Sequence, residues 1–215
     1  SKGRTPRQTK RPVIHLKDAI LPWITFTQPE FTRVLNWLKE QSITETKGVF
    51  NDLTAIVNGF CFVFGLGGIH GSVESRVIES DADHVIVDLD VASYYPSLIL
   101  KSGLTPSQIG PDFQRIYREW FDERITAKRS GDKKRADVLK IVLNGTFGKL
   151  GSPYSIFYAP EALIQVTLTG QLALLMLIEK LEAFNISVVS ANTDGIVIKC
   201  LRTMEHIRDM IIKAW

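Results

Sequence analysis

Asp88 and Asp90 stand two apart in the stretch His84–Leu100, HVIVDLDVASYYPSLIL. Val85, Ile86, Val87 and Leu89 around them read as a buried strand, and side chains two apart on a strand leave from the same face. Two carboxylates are therefore aimed in one direction. Charge in an apolar strand needs compensation, and a hard cation is one partner that supplies it; a salt bridge near the strand end is the other. The strand is expected to break at Ala92-Ser93. Pro96 then bars ladder pairing, and Ser97 is placed to cap a short helix.

Two further stretches carry chemistry-bearing residues. Ile186–Cys200, ISVVSANTDGIVIKC, has β-branched runs on either side of Asn192-Thr193-Asp194-Gly195, and Asp-Gly is a strong hairpin signal. It adds a carboxylate at a turn. Pro111–Gly148 has the pattern of a helical hairpin turning at Ser130-Gly131-Asp132. One helix takes its apolar face from Phe113, Ile116, Tyr117, Trp120, Phe121 and Ile125, the other from Val138, Ile141 and Val142. Arg124 and Lys128 are four apart and share a helix face, as do Lys140 and Asn144. Cations converging from two helices suit a polyphosphate; the bland alternative is a solvated charged face.

Taken together and in order, these stretches carry a resemblance. Asp90-x-x-Ser93-Tyr94-Tyr95-Pro96-Ser97 resembles motif A of the family B DNA polymerases, D-x-x-S-L-Y-P-S. Lys140-x-x-x-Asn144-Gly145-x-Phe147-Gly148 resembles motif B, K-x-x-x-N-S-x-Y-G, with Gly145 for serine and Phe147 for tyrosine. Arg124-x-x-x-Lys128 resembles the basic pair that precedes it. Asn192-Thr193-Asp194-Gly195 resembles motif C, D-T-D-S, with asparagine for the first aspartate and glycine for serine. Gly67-Gly68 resembles the end of a Y-x-G-G/A motif, although Gly65 stands where its tyrosine belongs.

The resemblance implies a set of roles. Asp90 and Asp194 become the catalytic carboxylates and, with the Val91 carbonyl, the ligands of two Mg²⁺ ions (Mn²⁺ substituting) about 3.5–4 Å apart. Ser93, Tyr94, Tyr95, Arg124, Lys128, Lys140 and Asn144 bind the incoming dNTP, with Tyr95 as the steric gate under its sugar. Gly67, Gly68, Gly148 and Thr193 make weaker contacts to DNA. The implied fold is α+β: a palm with an antiparallel sheet backed by helices, and a short helical-hairpin fingers insertion. The thumb, its K-x-Y element and the exonuclease motifs do not appear in the sequence. The implied partners are primer-template DNA, dNTPs and further domains or subunits supplying those parts. The competing reading is a truncated palm that holds nucleic acid or a partner without turnover; a different palm enzyme, such as a reverse transcriptase, is a third.

The elements that must position these residues are legible more coarsely. The chain has 215 residues, 45% hydrophobic and 23% charged, enough for one sizeable α/β core or one core with a small appendage. A formal charge of +3 permits nucleic-acid binding without arguing for it. Residues 1–12 form a basic tail (Lys2, Arg4, Arg7, Lys10, Arg11), 13–110 the first part of the palm, 111–147 the fingers hairpin and 148–215 the rest of the palm. Thr27-Gln28-Pro29-Glu30 has capping-box spacing before an amphipathic helix over 28–41, and 160–184 reads as a long apolar helix. Cys61 and Cys200 look like buried small hydrophobes, without disulfide or zinc. No apolar run approaches the roughly 18 residues of a membrane span, and no signal peptide is evident. The expected setting is the cytoplasm of a bacterial or phage-infected cell.

Overall fold

Alternation builds the sheet. Along Phe60–Gly65, Phe60, Phe62 and Phe64 are buried while Cys61 and Val63 are exposed, the period-two pattern of a strand with one wet face. Gly195–Leu201 repeats it, burying Ile196, Ile198 and Cys200. The computed structural model describes residues 7–8 and 13–215. Its elements run β1 (Ile14–His15), α1 (Leu16–Ala19), α2 (Pro29–Glu40), β2 (Ser42–Ile43), β3 (Val49–Val57), β4 (Phe60–Gly65), β5 (Ile69–Ser72) and β6 (His84–Asp90). There follow α3 (Tyr94–Lys101), α4 (Asp112–Arg129), α5 (Lys133–Lys149), α6 (Pro160–Glu182), β7 (Ser187–Asn192), β8 (Gly195–Leu201) and α7 (Glu205–Ala214).

The chain divides into two compact units, one of residues 15–92 and 167–215, the other of 93–166 with the residues up to Ile14. This division groups residues 93–110 with the helical hairpin, a wider body than the 111–147 insertion read from the motifs. Of the basic tail, only Arg7 and Gln8 lie among the described residues. Gln8 Nε2 donates to the carbonyls of Pro153, at 2.9 Å, and Ser155.

In the first unit six strands pair in the order β3-β4-β5-β7-β8-β6, each neighbour antiparallel. The fold is α+β, as expected. Asn58 (φ 51°) and Gly59 (φ 78°) form the two-residue turn between Val57 and Phe60, where two left-handed residues match the strand twist. The apolar face meets α2 through Phe31, edge-on to Phe62 at 5.5 Å. Gln171 of α6 donates to the Gly65 carbonyl at 2.9 Å. Burying each of these phenylalanines contributes roughly 1.5–3 kcal/mol. The opposite face of the sheet carries Cys61, Val63, His70, Ser72, Asp88 and Asp90, all exposed.

Several expectations are corrected here. β6 is not buried: Val85, Ile86, Val87 and Leu89 are half-buried, because β6 is the sheet's last strand and has one neighbour. Its two aspartates are solvated rather than stranded in an apolar core. Cys61 is exposed, since it falls on the wet side of the alternation; Cys200 is buried. α2 is capped one residue later than the capping box implied: Gln28 accepts from the amides of Glu30 and Phe31, while the Thr27 amide donates to Glu179. α3 starts from Ser93, and Ser97 lies inside it. α6 does have the length and apolar composition of a membrane span, but 78% of its apolar window is buried inside the protein.

The start of β6 is fixed by Asp81. Its Oδ1 accepts from the amides of Asp83 and His84 at 2.9 and 2.7 Å. The His84 side chain and then these amides hold the Asp81 carboxyl down to about 2.

In the second unit α4 and α5 form the expected hairpin, with Gly131 left-handed (φ 79°) at the turn and Asp132 capping α5 by accepting from the Arg135 amide at 3.0 Å. The core gathers Ile99, Phe113, Tyr117, Leu143, Leu150 and Val166. The buried face of α5 is Ala136, Leu139, Leu143 and Thr146. Val138 and Ile141 are exposed, the latter at 72%: small residues complete the stripe, so the largest apolar side chains alone misplace its phase. Tyr117 Oη donates to the Leu143 carbonyl at 3.0 Å, and burial pushes its phenol up. Tyr117→Phe is expected to lower stability by about 1 kcal/mol, read as a lower denaturation midpoint with an unchanged m-value. An unaltered midpoint would show that this bond contributes nothing net.

Candidate active site

The β6–β8 ladder positions the carboxylates. Seven pairs run from His84↔Leu201 to Asp90↔Gly195 without a bulge. Beyond the last pair the Val91 amide donates to the Asp194 carbonyl at 2.9 Å. The end of one strand is thereby tied to the turn that follows β7. Directly paired residues share a face, so Asp90, Gly195, Asn192 and His70 form one row across β6, β8, β7 and β5. Asp88, Val197, Ser190 and Ser72 form the next. A cavity of about 380 Å³ opens on this face, lined by Asp88, Asp90, Ser190, Asn192, Asp194 and Gly195 among others.

The turn itself differs from the expectation. Asn192 pairs with Gly195, so the two-residue loop is Thr193-Asp194, and Thr193 takes the left-handed conformation (φ 48°). Gly195 is needed for space instead. A Cβ there would stand 3.0 Å from the Leu89 carbonyl oxygen and 3.3 Å from Asp90 Oδ1. Gly68 plays the same part on the other side, where a Cβ would come within 3.1 Å of Thr193 Oγ1. The Thr193 amide donates to Ile69 at 2.9 Å, next to Gly67-Gly68. Glycines thus let two backbones close on the hairpin that carries Asp194.

Asp90, Val91, Thr193, Asp194, Gly67 and Gly68 accordingly meet in the sheet unit. Asp88 lines the same cavity, and among the described residues it forms no ion pair. Ser190 also lines it, a serine that nothing in the sequence distinguished. Among the described residues no group of three His, Cys, Asp or Glu side chains could hold a metal ion. Magnesium does not require such a cage: it keeps several waters and takes one or two carboxylates plus substrate phosphates. Two carboxylates on one cavity, with the space over Asp90 kept clear at Gly195, fit that habit.

The remaining residues lie in the helical unit. Ser93 is left-handed (φ 54°, ψ 45°) at the N-cap of α3. Arg124 Nη1 donates to Ser93 Oγ. Arg124 is 6% exposed and occupies the buried side of α4, whereas Lys128, four residues on, is exposed. The Tyr95 ring lies 4.7 Å from that of Phe147 and stacks on Tyr94 at 6.0 Å. The α3 stretch and the α5 stretch, remote in sequence, therefore touch through Tyr95 and Phe147. Lys140, Asn144 and Gly148 are exposed along α5.

No family model matches the chain. A DNA polymerase 2 of Saccharolobus solfataricus is 27% identical over 130 residues, 53% of this chain and 21% of that protein. DNA polymerase II of Escherichia coli is 28% identical over 153 residues, 59% of this chain and 19% of that protein. Over about half of its length the chain is similar in sequence to family B DNA polymerases. It spans about a fifth of the length of these curated relatives. The structure of the family B DNA polymerase from Pyrobaculum calidifontis aligns with a TM-score of 0.48 at 17% identity, over 69% of this chain and 26% of that one.

The close approach at Gly195 is testable. Gly195→Ala is expected to cost about 1–3 kcal/mol, as overpacking does, and to speed exchange of the Val91 amide. A variant as stable as the parent, with that amide equally protected, would remove the spacing argument.

Proposed function

We propose that this chain is the catalytic core of a DNA-directed DNA polymerase that transfers dNTPs to a primer 3′-hydroxyl. The observation that carries the reading is the joining of Asp90 and Asp194 on one cavity through a continuous antiparallel ladder. The relation to DNA polymerases supports it. Asp90, the Val91 carbonyl and Asp194 are the residues that would hold two Mg²⁺ ions, whose chemistry there is activation of the attacking hydroxyl and neutralisation of the leaving pyrophosphate.

The side chains have separable tasks. Arg124, Lys128 and Lys140 offset the charge of the triphosphate and of the leaving group as it develops. Backbone N–H groups around Ser93 and Tyr94 bind phosphate at the N-terminus of α3, where the helix dipole favours an anion. Tyr95, braced by Phe147, lies under the sugar and excludes a 2′-hydroxyl. Asn144 helps to bind the incoming dNTP, and Gly67, Gly68, Gly148 and Thr193 contact the DNA. Thumb and exonuclease functions come from other domains or subunits.

Primer extension on a primed DNA template tests this directly. Asp90→Asn and Asp194→Asn should each lower Mg²⁺-dependent extension by on the order of 10³-fold, with the thermal midpoint unchanged. Extension that persists in either variant, or an equal loss of folding, would refute the assignment. Tyr95→Ala should raise ribonucleotide incorporation by roughly tenfold or more; unchanged sugar discrimination would take the gate away from Tyr95.

A further inference from the structure

Arg124 poses a question that its place in a triphosphate site does not answer. The residue is 6% exposed, its Nε has no hydrogen-bond partner, and among the described residues no carboxylate forms an ion pair with it. A buried guanidinium is ordinarily paired. The partner Arg124 does have is neutral: the Ser93 hydroxyl, which accepts from Nη1. Ser93 is held at φ 54° and ψ 45°, a conformation that serine seldom adopts and glycine or asparagine adopts with ease. It is also the residue from which α3 begins, with its carbonyl accepting the first helical bond from Ser97 at 2.9 Å.

We propose that Ser93 is a positioning residue, whose hydroxyl holds the uncompensated Arg124 guanidinium ready for a phosphate chain at the start of α3. The neutral acceptor matters chemically. A carboxylate in that position would cancel the charge and repel the anion, whereas a hydroxyl orients the fork and leaves its charge for the ligand. The remaining donors of Arg124 and the positive end of α3 then face one demand, that of an anion. All of these groups lie within the unit of residues 93–166, so the seat takes pyrophosphate without the carboxylates of the sheet. The inference rests on the polymerase reading for the identity of its natural ligand, a nucleoside triphosphate, but not for the existence of the seat.

The probe is inorganic pyrophosphate, titrated calorimetrically into the full chain in EDTA. Ser93→Gly removes the hydroxyl while easing the left-handed backbone, so it should fold at least as well as the parent and bind pyrophosphate about tenfold more weakly. Ser93→Asn, which tolerates that conformation and restores an acceptor, should recover most of the loss. The Arg124 Nε–Hε NMR signal should shift on pyrophosphate addition in the parent and less in Ser93→Gly. Equal affinity in parent and Ser93→Gly, or a parent that does not bind pyrophosphate, would overturn the proposal. Anion binding as described, alongside primer extension that persists in Asp90→Asn or Asp194→Asn, would instead overturn the polymerase reading and leave the seat standing.

Discussion

The hydrogen bond from the Val91 amide to the Asp194 carbonyl is the constraint on which the sheet site depends. It extends the β6–β8 ladder by one step past its last paired residues and joins the two segments that carry Asp90 and Asp194. Because the ladder has no bulge, its register is a single quantity. A slip of one residue would turn Asp88 and Asp90 to the helix-backed face, where unpaired carboxylates are strongly disfavoured. The buried row of Ile196, Ile198 and Cys200 and the solvated row of aspartates therefore fix the same register from opposite sides.

Glycine supplies the second half of that constraint. Gly195 lets β8 lie close under Asp90, and Gly68 lets the β4–β5 connection lie close against Thr193. Gly195 has no positive φ to require it, while Gly68 also takes a φ of 157°. Both are places where one backbone approaches another, and each keeps the hairpin that bears Asp194 seated against its neighbours. The same economy is seen at Ser93, where a left-handed residue turns the chain from β6 into α3 and places its hydroxyl on Arg124.

Much of the site was legible as residue types. The order Asp90, Arg124–Lys128, Lys140–Asn144, Asp194 pointed to a polymerase before any contact was known; the α+β class followed from that resemblance, and the helical hairpin was readable from period and turn residues. Burial was read less well. The apolar letters around Asp88 suggested a buried strand, but strand order places β6 at an edge. Val138 and Ile141 suggested the core face of α5, but Ala136 and Thr146 occupy it.

Composition and spacing by themselves determined which side chains are available: two carboxylates on one strand face, a third at a hairpin turn, and basic residues four apart on a helical hairpin; the roles expected of them came from the resemblance. Such placements are local properties, set by residue identity and by the fixed geometry of strands and helices. Only the tertiary structure decided that Asp90 and Asp194 line one cavity, that Arg124 is buried against Ser93, and that Tyr95 meets Phe147. Those pairings join segments remote in the chain, and strand order and helix packing, which no local spacing encodes, bring them together.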